Sequence, residues 1–241
     1  MPNHARLPAV RSQIKNRILL ALPEGEFQRI FPHLAFVGLP LGRVLYNADN
    51  WIDYAYFMNS GMASLVAVTG DGATVEVGTV GSEGVMGIQA ALGEDRIFYS
   101  GVVQIPGNAM RIRTDALRRE FHQNAGLSRL LLDYMLVLHL QVSQSAVCNR
   151  FHSLEQRLCR WLLTSQDCAR SDRFPVTHEF LSHMVGASRT PVTLTAEALQ
   201  EAGLIWYRRS VIRILDRQGM EARTCECYRI VTEKYDRLSA A

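Results

Sequence analysis

The chain has 241 residues, of which 48% are hydrophobic and 20% charged. That balance suits a globular protein able to bury a core, and it excludes a disordered tail or a collagen-like chain. The length leaves room for one large or two modest domains, and a formal net charge of +3 does not by itself announce a nucleic-acid partner.

Only Lys15 and Lys234 are lysines, so 24 of the 26 basic residues are arginine. Arginine grips phosphate and guanine with two hydrogen bonds, but a GC-rich genome gives the same bias. Along the chain, residues 1–17 carry several bases but no apolar stretch of the signal-peptide kind, so a cytoplasmic location is expected. Ile14, Ile18, Leu19 and Leu22 then recur at helical spacing up to Pro23. Residues 24–33 put Phe27, Ile30 and Phe31 on one helical face.

From Gly42 to about Arg113 the period changes to short runs of Val, Tyr, Phe and Ile punctuated by glycine. Residues 42–46 read as a strand, and 54–58 as a second, closed by the turn Asn59-Ser60-Gly61. Residues 64–68 and 74–80 flank Gly70-Asp71-Gly72, a hairpin signal. Gly81-Ser82-Glu83-Gly84 breaks the sheet, and 85–92 reads as a turn or two of helix. Residues 100–105 and 108–112 predict a last hairpin across Pro106-Gly107. Short strands at near-regular spacing suggest a small barrel, jelly roll or sandwich.

Thr114 is a candidate N-cap for a helix over 114–121. A longer helix follows over about 126–149. In it Leu131, Met135, Leu138, Val142 and Ser145 step by four and three residues, the pattern of a coiled-coil seam. The stretch 130–142 is interrupted by Asp133, His139 and Gln141, short of the roughly 18 apolar residues of a membrane span, so no membrane partner is expected. Residues 154–165 form an amphipathic helix with Leu158, Trp161 and Leu162 inward, followed by a polar loop over 167–173.

The segment 175–199 has a specific grammar. Thr177 caps a short helix whose Phe180, Leu181 and Met184 face a core, and Gly186 supplies a tight turn. Ser188 caps a second helix, with Pro191 in its first turn and Val192, Leu194 (or Thr195) and Leu199 at helical spacing. Two short helices crossing at a glycine turn make a DNA-binding helix-turn-helix. Ser188, Arg189, Thr190 and Thr193 are then exposed at the head of the second helix, where Arg189 can reach guanine O6 and N7. Gly203 ends this helix. Residues 204–208 and 211–215 form a hairpin across Arg209-Ser210, with Arg208, Arg209 and Arg213 at or near its tip and no acid among them. Such a cluster neutralises phosphate without reading sequence. Residues 220–238 read as one final helix.

The overall expectation is an α+β chain: an N-terminal antiparallel, jelly-roll-like β-roll over 1–125, a long dimerisation helix over 126–150, and a C-terminal winged helix-turn-helix over 151–241. In these features the chain resembles the Crp/Fnr superfamily of bacterial transcription regulators, most specifically over 42–87 and 177–205. The resemblance implies a homodimer on double-stranded DNA at a near-palindromic operator, with RNA polymerase and an unidentified small molecule as further partners. It places Thr177, Ser188, Arg189, Thr190 and Arg208 where the family contacts DNA, with Thr190 standing where the family commonly has glutamate. It also implies an effector site at Gly81, Glu83 and Gly84, completed by Tyr99 and Ser100 at the phosphate. The family's arginine is absent at Tyr99. A buried cyclic phosphate would then lack its compensating cation, which disfavours cyclic AMP as the effector.

The cysteines are Cys148, Cys159, Cys168, Cys225 and Cys227. None lies in the N-terminal region where the oxygen-sensing branch holds an iron–sulfur cluster, so that cofactor is not expected. Cys225-Glu226-Cys227 is a CxC pair without a second close pair to complete a zinc site, and His178 and His183 are remote in sequence. Single histidines such as His33 and His139 read as structural rather than as haem ligands. No resident cofactor, metal site or catalytic centre is expected, since no GxSxG or phosphate-loop motif occurs. Two other classes compete with a DNA-binding regulator. One is a ligand-sensing β-roll whose winged domain contacts protein rather than DNA. The other is a cupin-like metalloenzyme, which the lack of histidine between His33 and His122 opposes.

Overall fold

The computed structural model describes residues 13–94 and 96–240. The N-terminal reading of residues 1–12 lies outside the described residues.

Helices α1 (Arg17–Ala21) and α2 (Glu24–Ile30) open the described chain, and a 3-10 turn over Phe31–His33 follows. Asn16 caps α1 by accepting from Leu19 N, and its amide donates to Met58 O and Gly84 O, so the N-terminal helix is tied to the sheet. Six strands then form one antiparallel sheet: β1 (Ala35–Leu39), β2 (Val44–Tyr46), β3 (Tyr54–Val68), β4 (Thr74–Val80), β5 (Val85–Met86) and β6 (Ser100–Arg113). The path runs β1-β6-β3-β4, with β2 on β6 and β5 on β3. The sequence reading assigns no strand to β1; Ala35–Leu39 forms it by pairing residue for residue with β6.

The largest departure from the sequence reading lies in β3 and β6. Each is one long strand, not two short ones joined by a turn. Asn59-Ser60-Gly61 and Pro106-Gly107 do not reverse the chain. They face each other as irregular register, with shifts around Ser60 and Met62. Gly61 takes φ +77, and a Cβ on Gly107 would collide with the backbone of Ser60 and Gly61. Glycine here permits a bulge and a close backbone approach, the other use of the turn residue. The true hairpin is the predicted one at 70–72, between β3 and β4.

A 3-10 turn (Ile88–Leu92) follows Gly87, and α3 (Thr114–Gln123) and α4 (Ala125–Phe151) follow the sheet. Arg113, not Thr114, occupies the N-cap position of α3. α4 has 27 residues, with a mean hydropathy of 1.2 over its most apolar 18, so its length and composition would allow it to cross a membrane. One side of it packs against β4 and the C-terminal helix. α5 (Leu154–Ala169) begins with a capping box between Ser153 and Gln156.

The last part holds α6 (His178–Met184), α7 (Arg189–Glu201), α8 (Arg217–Arg223) and α9 (Glu226–Ala240) around a three-stranded sheet of β7 (Arg173–Pro175), β9 (Val211–Ile214) and β8 (Ile205–Arg208). The predicted final helix is two helices, because Thr224 is extended and ends α8. Two cores result. One joins the sheet, α1, α3, α4 and Tyr235 of α9. The other gathers α5–α8 and the wing strands around Trp161, and takes in Met62 and Ile105 at the bulge.

The two parts meet through a buried carboxylate. Glu76 on β4 accepts from Trp161 Nε1 at 3.0 Å and from the Ser64 hydroxyl. Burial pushes its carboxyl from the ordinary 4.5 up to about 7, against the pull of these two donors. The folded pKa is therefore raised, so the folded state holds one more proton than the unfolded state between these values. Stability should fall as pH rises from about 4.5 to 7, by up to about 3 kcal/mol, and be flat on either side. Denaturant unfolding of Glu76→Gln at pH 5 and pH 8 should show this step removed. A step of unchanged size would assign it to another group.

Candidate nucleic-acid interface

The α6–α7 pair is built as its sequence grammar demands. Thr177 Oγ1 accepts from Phe180 N at 3.1 Å, capping α6. Gly186 takes φ +61 in the turn and Gly203 takes φ +74 after α7. Ser188 sits at the N-cap position of α7, though its hydroxyl makes no capping bond. Val192, Ala196 and Leu199 are buried against the second core. Ser188, Arg189 and Thr190 are exposed at the head of the helix. Arg189 makes no ion pair or hydrogen bond among the described residues.

Two assignments on α7 change. Leu194, expected at inward helical spacing, is 61% exposed, because Val192 and Leu199 already set the buried face. It lies on the outward face beside Thr190, where an apolar side chain can meet a thymine methyl. Thr193 is not free for bases: its hydroxyl pairs with His178 Nδ1 at 3.0 Å. The His178 ring stacks on Tyr207 at 4.3 Å, and burial lowers its pKa, which favours the neutral ring. This trio locks α6, α7 and the wing together and supports the interface from behind. Glu197 and Glu201 are exposed farther along α7. The acid-free exposed surface of α7 is therefore its N-terminal half.

The wing is a two-residue hairpin. Arg209 (φ +50) and Ser210 (φ +58) both take positive φ, the geometry that matches strand twist in tight hairpins. Arg208 and Arg209 are exposed and make no ion pair among the described residues. Arg213 differs: its Nε donates to Asp172 at 2.8 Å, so its charge is offset by an acid from the preceding loop. Arg173, which pairs with Arg213 across β7 and β9, adds an exposed cation that sequence reading missed. Arg173, Arg208 and Arg209 line a shallow groove with Trp206.

The predicted seam of α4 is already occupied. Leu131 is 1% and Leu138 7% exposed, both in the chain's own first core. Met135 and Val142 are half-buried beside it. The unpartnered apolar face is a different one: Leu132, Leu136 (70% exposed), Val147 and Phe151. The heptad spacing is real, but the β-roll takes the first of the two apolar faces.

The five expected effector residues are engaged by contacts within the chain. Gly81 N donates to Glu83 Oε1 at 2.6 Å, and burial raises the Glu83 carboxyl. Gly84 lies against the Tyr134 ring, leaving no room for a side chain. Tyr99 and Ser100 lie at the start of β6. The Tyr99 hydroxyl bonds Gln89 and is pushed up to about 12 by burial, while Ser100 Oγ accepts from Ala48 N. Of the five, only Glu83 lines the cavity of about 480 Å³ between β4, α4, α5 and α9, which Arg17, Arg160, Arg170 and Arg217 also line.

One cluster is not foreseen by the sequence reading. The break at Thr224 turns Cys225 and Cys227 toward Cys148 and His152, and the donor atoms of all four lie within 4.8 Å of one another. The signal is present as two half-motifs, an i,i+4 Cys–His pair at 148 and 152 and the CxC at 225–227, separated by 72 residues.

Two family models match the sequence: a cyclic nucleotide-binding domain over residues 37–124 and a Crp-like helix-turn-helix domain over 156–223. No curated protein matches. Among solved structures, FixK2 from Bradyrhizobium japonicum superposes with a TM-score of 0.68 at 12% identity, over 80% of this chain and 98% of its own. CLP, a c-di-GMP responsive global regulator from Xanthomonas campestris, gives 0.63 at 19% identity, over 80% and 100%. A CRP-family transcriptional regulator from Thermus thermophilus gives 0.63 at 18% identity, over 78% and 95%. At these identities the structures establish a shared fold.

Proposed function

The chain belongs to the Crp/Fnr superfamily of transcription regulators, and from that premise we propose that it binds double-stranded DNA as a cytoplasmic homodimer at a near-palindromic operator. The head of α7 enters the major groove. Arg189 reads a guanine, while Ser188, Thr190 and the methyl groups of Leu194 face neighbouring base edges or phosphates. Thr177 and the wing arginines Arg208 and Arg209 hold the backbone. The observation that carries this reading is the exposure of Arg189, Arg208 and Arg209 without acidic partners, on two elements locked together by His178, Thr193 and Tyr207.

The second copy covers the outward stripe of α4 at Leu132, Leu136, Val147 and Phe151, which supplies a two-fold pair of reading heads. RNA polymerase is the further protein partner of such a regulator. The work is recognition, not catalysis. An effector would enter this cavity, where Asp236 and Asp167 already pair with Arg17 and Arg217, so that Arg160 and Arg170 are the cations left to meet an anionic group. Cyclic AMP at the strand end is disfavoured, since Tyr99 stands where a cation is needed. The dinucleotide to which CLP responds is the first anion to try.

A salt series of gel shifts on promoter DNA tests the reading. Affinity should fall steeply with salt, and the double substitution Arg208→Ala/Arg209→Ala should reduce the slope by about 2 while weakening all sequences alike. Absence of binding at low salt would sink the proposal and favour a protein partner for the winged part.

A further inference from the structure

Cys148 lies in the last turn of α4 and His152 follows at its extended C-cap, with their donor atoms within 4.8 Å of each other. Cys225 precedes α9, and Cys227 lies in its first turn. The three cysteines are almost wholly buried and touch one another as a cluster apart from both cores. Cys148 Sγ is 3.6 Å from Cys225 Sγ, and Cys227 Sγ is 3.5 Å from His152 Nδ1. A tetrahedral ion with bonds of roughly 2.3 Å to sulfur and 2.0–2.1 Å to nitrogen sets its ligands about 3.8 Å apart for two sulfurs and about 3.6 Å for sulfur and nitrogen. Both distances are thus near the edges of such a tetrahedron.

Two surrounding groups point the same way. The other ring nitrogen, His152 Nε2, lies 3.3 Å from Glu226 Oε1. A carboxylate on the far nitrogen fixes the tautomer that offers Nδ1 to a metal and raises its basicity. The Arg160 guanidinium acts electrostatically on Cys148 and Cys227, and its buried Nε has no hydrogen-bond partner among the described residues. Three thiolates and a neutral imidazole around a divalent ion leave one negative charge, which an adjacent guanidinium offsets.

We propose that Cys148, His152, Cys225 and Cys227 bind a single zinc ion that ties the end of α4 to the start of α9. Four protein ligands with no open position make the site structural, not catalytic. Sulfur donors select a borderline-soft ion such as zinc over magnesium or calcium. Donors this close suit one ion rather than a multi-iron cluster, whose cysteines stand farther apart around several metals. Binding releases the thiol protons to solvent and stabilises the folded chain, because the ligands come from positions remote in sequence. The last helix of the winged part is thereby fixed to the long helix of the β-roll part.

The test uses the full chain, expressed with zinc and purified under reductant. Elemental analysis should find about one zinc per chain, and Co(II) exchanged into the site should give the visible bands of tetrahedral cobalt with thiolate charge transfer. Cys227→Ser and Cys148→Ser should each lose the stoichiometric metal, and His152→Cys should keep it with an altered cobalt spectrum. Removing zinc from the unsubstituted chain with a chelator should lower Tm, and Zn(II) alone should restore it, so the result survives a variant that fails to fold. Zinc well below one per chain, a six-coordinate cobalt spectrum, metal retained in both serine variants, or a Cys148–Cys225 disulfide in the reduced preparation would overturn the proposal. None of these readouts depends on DNA.

Discussion

A Leu136→Glu chain is expected to run as a monomer in solution scattering and to lose roughly 10²- to 10⁴-fold in affinity for a full operator, the range that linking two binding modules supplies. The size follows from geometry. One recognition helix makes few base contacts, and the second half-site adds its binding at the effective concentration set by the dimer. Leu136 is the right position because it is 70% exposed on α4, so the fold does not need it. Leu138, on the heptad pattern, is buried in the chain's own core, and a charge there would unfold the β-roll instead. Retained dimer mass with Leu136→Glu would move the interface off the stripe at Leu132, Leu136, Val147 and Phe151.

The second large effect is expected at Arg189. Its replacement by alanine should cost roughly 1–3 kcal/mol on the preferred operator, about 5- to 150-fold, and much less on DNA mutated at the contacted guanine. The asymmetry is the informative part. A phosphate contact weakens all sequences alike, whereas a base contact is lost only where the base was present. Arg189 sits on the first turn of α7, clear of acids, with Glu197 and Glu201 behind it, so its charge is directed outward at the head of the helix. Equal losses on cognate and mutated DNA would reassign it to the backbone. Arg213 makes a useful contrast. Asp172 already pairs with it, and Arg213→Ala should change binding far less than the loss of Arg208 or Arg209.

The winged part is the most legible in the sequence because its signals are local. Thr177, Gly186, Pro191, Gly203 and the Arg209-Ser210 turn each dictate backbone geometry within a few residues, and each does so in the structure. The β-roll is legible as a class but not in its joints. Gly61 and Gly107 have the composition of turns, yet they serve a bulge whose existence depends on two strands remote from each other in sequence. Leu131 and Leu138, on the heptad pattern, lie in the chain's own core for a similar reason. α4 is apolar on more than one face, and periodicity cannot say which face the sheet takes. Thr193 looks available because nothing in the sequence places His178 against it. The cysteine cluster is hidden because two half-motifs meet only after α9 folds back along α4. Nothing local ties 148 to 225.

Whether α7 reads sequence as one of a two-fold pair is tested most directly by selecting bound duplexes from a random pool. The expected product is an inverted repeat with half-sites about one or more helical turns apart, and with a guanine whose enrichment disappears for Arg189→Ala. Recovery of unbiased sequences, or of a single unrepeated motif indifferent to Arg189, would contradict it.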